Sequence, residues 1–133
     1  MRWLVKEEPE NYSFAELQAD GTTAWAGVKN PVAQKNLRAM KKGDRVFFYH
    51  TGKEKAVVGT ATVVVEAYPD PKNANLAVVE LAAGKPLKRP VTLAEIKADK
   101  RFAAMPLVRI PRLSVQPVTD EEWDLIEGMS KFA

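Results

Sequence analysis

The residue types that most often do chemistry are sparse in this chain, and they fall in a few places. Lys6, Glu7 and Glu8 follow a short apolar run, and Tyr49 and His50 close an aromatic one. Trp25 opens the stretch W-A-G-V-K-N-P, Trp25 to Pro31. His50 is the one histidine, and there is no cysteine. That removes disulfides, thiol nucleophiles and thiolate metal sites. No H-x-x-x-H spacing pairs imidazoles for a metal, and no G-x-S-x-G, P-loop or G-x-G-x-x-G pattern occurs. A histidine at a strand end is more often exposed or hydrogen-bonded than catalytic. Acidic residues from Asp120 to Glu122 are accounted for by a helix dipole. Glu8 or His50 as acid or base is the enzymatic alternative. With no convergent partners for them, we expect no catalytic residue, no metal and no cofactor.

Binding chemistry is better supplied. Lys35, Arg38 and Lys42 recur at spacings of three and four, which puts them on one helix face, with Lys29, Lys41 and Arg45 nearby. Asn30-Pro31 starts that helix, and a helix N-terminus attracts anions. Gly27 allows a close approach. Trp25, in a glycine-containing loop, either closes the edge of the core or walls a pocket for something flat. A basic stripe is often a plain solvated face. Beside an aromatic platform, it also forms the usual components of single-strand or flipped-base recognition.

The elements that must position these residues are readable. Strands are expected in Arg2–Lys6, Arg45–His50, Ala56–Tyr68, Leu76–Leu81 and Arg112–Val118, with a bulge or bend at Gly59. Pro69–Asn75 and Gly84–Pro90 read as loops. Capping boxes start helices at Ser13, Thr92 and Thr119. A fourth helix runs from Pro31 to about Met40, with Ala33, Leu37 and Met40 directed to the core. Trp3 and Trp123 sit in periodic segments and belong to the core. Strands cluster rather than alternate with helices, which favours an α+β chain with a curved antiparallel or mixed sheet, or a small barrel, over a doubly wound sheet.

The chain has 133 residues, 46% hydrophobic and 28% charged, enough for one domain over residues 1–133 with a real core. Its net charge is +3, which permits a nucleic-acid partner without requiring one. "VVGTATVVV" is too short to span a bilayer, and no leader pattern is read at the start. A cytoplasmic location without membrane contact is expected.

"WLVKEEP", "YSFAEL", "WAGVKNPVAQKNLRAMKKGDRVFFYHTG", "VVGTATVVVEAYPDP" and "PVTLAEIKADKRFAAMPLVRIPRLSVQPVTDEEWDLI" together resemble the EVE domain family, in order and over nearly the whole chain. The resemblance implies a PUA-like fold, a small mixed β-barrel flanked by helices, akin to YTH domains. It also implies a reader of modified bases in nucleic acid, with 5-methylcytosine or 5-hydroxymethylcytosine in DNA favoured and RNA possible. By similarity, Trp25 stacks on the base, and Lys6, Glu8, Gly27, Val28, Asn30, Tyr49 and His50 lie near the cleft. Lys29, Lys35, Arg38 and Lys42 would meet phosphates. Lys6-Glu7-Glu8-Pro9 departs from the family's K-S-E-P, and Lys29, Pro31 and Gln34 replace Arg, Tyr and Arg. Lysine cannot reproduce a bidentate Arg contact. The alternatives are an enzyme acting on nucleic acid and a module that binds a protein segment or metabolite in the same cleft.

Overall fold

A computed structural model describes residues 1–131 of the chain. Its strands are β1 (Arg2–Glu7), β2 (Thr22–Trp25), β3 (Arg45–His50), β4 (Ala56–Asp70), β5 (Asn73–Thr92) and β6 (Val115–Val118). Its helices are α1 (Phe14–Asp20), α2 (Pro31–Ala39), α3 (Leu93–Ala98), α4 (Pro106–Arg109) and α5 (Asp120–Ser130), with a 3₁₀ turn at Lys100–Phe102. The strands form one mixed sheet in the order β2-β5-β4-β3-β1-β6, and β1 and β3 are the parallel pair.

The sheet curls because its inner face has one shared core. Trp25 of edge strand β2 and Val115 of edge strand β6 pack in the same cluster, with Val5, Phe48, Ala61 and Leu81 from the strands between them. Helix α2 spans the gap between the edges. The Asn36 amide donates to Val115 O (2.7 Å) on β6, while Gln34 accepts from Ala77 N (2.7 Å) and donates to Ala77 O (3.3 Å) on β5. Side chains thus satisfy backbone groups that an open edge would leave exposed. This is the physical content of the expected PUA-like barrel. On the outer face, α3, α4 and α5 cover Leu4, Phe47 and Val57, with Trp123 stacked on Phe47 at a centroid distance of 3.6 Å.

Capping boxes at Ser13, Thr92 and Thr119 start α1, α3 and α5 as the sequence predicts. The bulge at Gly59 is present. A Cβ there would run into the Phe14 ring, so glycine makes room for α1 to sit on the sheet. Four expectations are corrected. Trp25 does not stand in a loop; it ends β2, paired with Val79. The four-residue strand has no alternation long enough to read, and a distant partner induces it. The loop expected at Pro69–Asn75 shrinks to a turn at Pro71–Lys72, and Gly84–Pro90 belongs to β5. There Thr60 Oγ1 accepts from Lys85 N (3.2 Å), standing in for part of the ladder. The last expected strand starts at Val115 rather than Arg112.

Candidate functional site

Parallel pairing sets Lys6 opposite Tyr49 and Glu7 opposite His50. Successive side chains of a strand point to opposite faces, so these pairs part company. Lys6 and Tyr49 turn outward, with the ammonium 5.6 Å from the centroid of the Tyr49 ring. The Lys6 ammonium also donates to Pro111 O (2.7 Å), and burial lowers its pKa. Burial pushes the Tyr49 phenol up to about 12. It stays a neutral donor at physiological pH, and its hydroxyl has no hydrogen-bond partner among the described residues.

His50 turns inward and is held at both nitrogens. Nε2 accepts from Phe14 N (3.0 Å), which requires a lone pair there, so Nδ1 carries the proton and donates to Glu54 Oε1 (2.7 Å). Neither nitrogen remains for a ligand. Glu8 turns toward the β3–β4 loop, where Thr51 Oγ1 donates to its Oε2 (3.1 Å). Gly52 has φ 77°, and a Cβ there would fall 2.5 Å from Glu8 Oε1.

Trp25 is 5% exposed and packs edge-on against Phe48, with centroids 5.5 Å apart and planes at 83°. Of the two expected placements, the structure shows the core edge. Its indole N–H has no partner among the described residues, whereas those of Trp3 and Trp123 donate to Asp44 and Glu127. Gly27 follows at φ 77°, with nothing within 4 Å of where a Cβ would sit. The conformation demands glycine, and the space above it is open. Val28 packs half-buried on the inner core, and its carbonyl accepts from Gln34 Nε2 (2.6 Å). Gln34 is thus the residue that fixes the Ala26–Asn30 loop. A polar residue in the middle of a helix was the available signal for it.

Asn30 Oδ1 accepts from Val32 N (2.9 Å) and Ala33 N (3.0 Å), and Pro31 has no N–H. The first turn of α2 therefore has no spare donor for a phosphate, and the anion site expected there reduces to the dipole field. The Asn30 amide nitrogen keeps its donors. Lys29 and Lys35 are exposed, and Arg38 donates to Asn75 O (3.0 Å). The expected single face does not include Lys42. Helix α2 stops at Ala39, and Lys42 lies in the turn beyond, with its backbone N–H on Glu66.

The Ile110–Leu113 turn links the two groups of residues. Lys6 holds its Pro111 carbonyl, and Asn30 lines a notch with Ile110, Arg112 and Leu113. Sequence reasoning missed this turn. The signal available was an arginine pair, Arg109 and Arg112, in a stretch free of acidic residues from Ala103 to Thr119. Among the described residues, no group of three or more His, Asp or Glu side chains is placed to hold a metal, and no helix is long and apolar enough to cross a membrane.

Comparison with known proteins fits this architecture. The chain is 34% identical to human thymocyte nuclear protein 1 over 165 residues, covering 97% of this chain and 73% of that protein. A solved structure from Rhodopseudomonas palustris superposes with a TM-score of 0.93 at 48% identity, covering 98% of this chain and 92% of the other. The crystal structure of human THYN1 protein in complex with 5-methylcytosine-containing DNA superposes with a TM-score of 0.91 at 32% identity, covering 99% of this chain and 98% of that one. The family model of the EVE domain matches residues 1–129, and this chain belongs to the EVE domain family.

Proposed function

We propose that this protein binds nucleic acid, DNA before RNA, and takes a flipped or unpaired base against Trp25, with 5-methylcytosine and 5-hydroxymethylcytosine as the favoured ligands. The observation that carries the proposal is the fold-wide similarity to a human relative whose crystal structure holds 5-methylcytosine-containing DNA. The geometry supports it with donors on the Trp25 side that the protein leaves unused, the Trp25 indole N–H and the Asn30 amide. Glu8, Gly27 and Val28 shape the surroundings of that base, while Lys6 acts by holding the Pro111 turn and His50 by holding α1 and Glu54, rather than by touching it. Lys29, Lys35 and Arg38 meet the backbone phosphates, with Lys42 outside that face. Binding rather than catalysis is the role, since both His50 nitrogens are occupied and Glu8 is bonded to Thr51.

Stacking on an aromatic contributes about 1–3 kcal/mol per base. Extrusion of a paired base costs a few kcal/mol, so phosphate contacts must supply the surplus and make affinity fall steeply with salt. The test is binding of methylated, hydroxymethylated and plain single-stranded oligonucleotides to the wild type and to Trp25→Phe. The expected result is a preference for a modified strand that Trp25→Phe diminishes. Equal weak binding in every combination would overturn the reading.

A further inference from the structure

The Ile110–Leu113 turn carries an exposed apolar tip for which the base-binding reading has no use. Ile110 is 51% exposed, and Val32, in the first turn of α2, is 54% exposed. Both line a cavity of about 120 Å³ with Asn30, Arg112 and Leu113. Ligand sites run to about 300–1,000 Å³, so this is a notch between two apolar knobs and not a second pocket. The tip is rigid. Ile110 N donates to Pro106 O (2.7 Å), Leu113 N donates to Ile110 O (3.0 Å), and the Lys6 ammonium grips Pro111 O (2.7 Å). Proline fixes the backbone between them.

Its surroundings are positive. From Gly21 to Gly43 the chain has five Lys or Arg and no acidic residue, and from Ala103 to Thr119 it has Arg109 and Arg112 and no acidic residue. Asn36 joins the two stretches through its bond to Val115 O. Lys29, Lys35, Arg109 and Arg112 are all exposed. Exposed aliphatic groups alone would suit many partners, but in an acid-free field they suit a polyanion with an apolar interior. Duplex DNA is one, and apolar wedges such as Ile and Pro enter its base stack.

We propose that Ile110, backed by Pro111 and flanked by Val32, is a wedge that enters duplex DNA and fills the space left by the extruded base, with Arg109 and Arg112 on the adjoining phosphates. This rests on the flipped-base reading above and adds the device that lets a paired base be reached. A wedge matters only where a stack must be opened, so duplex and single strand should respond differently.

The experiment compares wild type with Ile110→Ala on a duplex holding one central 5-methylcytosine–guanine pair and on the methylated single strand. Thermal melting serves as the fold control, and Ile110 is exposed enough for the variant to fold. Duplex affinity should fall about tenfold while single-strand affinity stays within about twofold. A 2-aminopurine next to the methylcytosine in the duplex should brighten with wild type and brighten less with the variant. Unchanged duplex binding, or an equal loss on both ligands, would overturn the wedge. Equal wild-type binding of methylated and plain single strands would overturn the base reading instead, whatever Ile110 does.

Discussion

At the start of β1, Trp3 donates its indole N–H to Asp44 (2.9 Å). Asp44 also accepts from Lys41 N (2.9 Å) and the N-terminal amine (3.1 Å). Close by, Arg2 bonds Asp120 (2.9 Å), and the Arg2 and Arg45 guanidinium groups lie 5.4 and 5.3 Å from the Trp123 ring centroid. The region around Trp25 and the end of β1 uses the same residue types differently. Trp25 packs as tightly as Trp3 but keeps its N–H free, Tyr49 is buried with a free hydroxyl, and Asn30 uses its oxygen and spares its nitrogen. A buried tryptophan whose polar atom is paired stabilises the fold and has nothing left to offer. One with the polar atom free gives up about 1 kcal/mol of internal bonding and gains a directional donor for a ligand. The first region uses its polar atoms to hold the fold, and the second leaves some of them unused.

The sharpest way to break that contrast is to remove an aromatic from the paired region. Trp123→Ala should cost about 3–5 kcal/mol, read as the shift of the urea unfolding midpoint. A loss below 1 kcal/mol would erase the distinction. Asp44→Ala should follow at about 3 kcal/mol, because it strands the donors of Trp3 and Lys41. Its pH dependence has a definite sign. Burial works to raise the Asp44 pKa, but the bonds from Trp3, Lys41 and the N-terminal amine outweigh it and hold it below the ordinary carboxylate value. A depressed folded-state pKa contributes stability that is present above the unfolded value near 4 and is lost as pH falls through the folded one. Urea midpoints measured from pH 5 downward should fall more steeply for wild type than for Asp44→Asn.

Changes in the other region should separate binding from stability. Asn30→Asp keeps the cap oxygen and removes the spare amide donors, so stability should move by less than about 0.5 kcal/mol. Affinity for a methylated strand should drop several-fold. The smallest effect is expected from Lys35→Gln. It should reduce the slope of log affinity against log salt by about 1, leaving base preference intact.

Local signals were legible wherever one side chain decides the outcome. Ser13, Thr92 and Thr119 announced their helices because a hydroxyl three residues before a glutamate satisfies its own helix end. Asn30-Pro31 announced α2 for the same reason. Non-local signals were not legible. β2 exists because β5 lies beside it, and β5 continues through Gly84, Pro86 and Pro90 because Thr60 replaces missing ladder bonds. Lys42 lost its expected face because the helix ended three residues before it.

The sequence by itself determined the class of fold, the positions of four helix starts, the core tryptophans Trp3 and Trp123, and a family resemblance specific enough to point at Trp25. Each of these depends on residue type at short spacing, which a linear chain displays in full. Only the tertiary structure decided what each polar atom does. It spent both nitrogens of His50, occupied the first turn of α2, turned Lys6 and Tyr49 away from the Trp25 side, and set Ile110 beside Val32. Hydrogen-bond partners and strand faces are fixed by residues far apart in sequence, so which donors stay free is a property of the folded molecule alone.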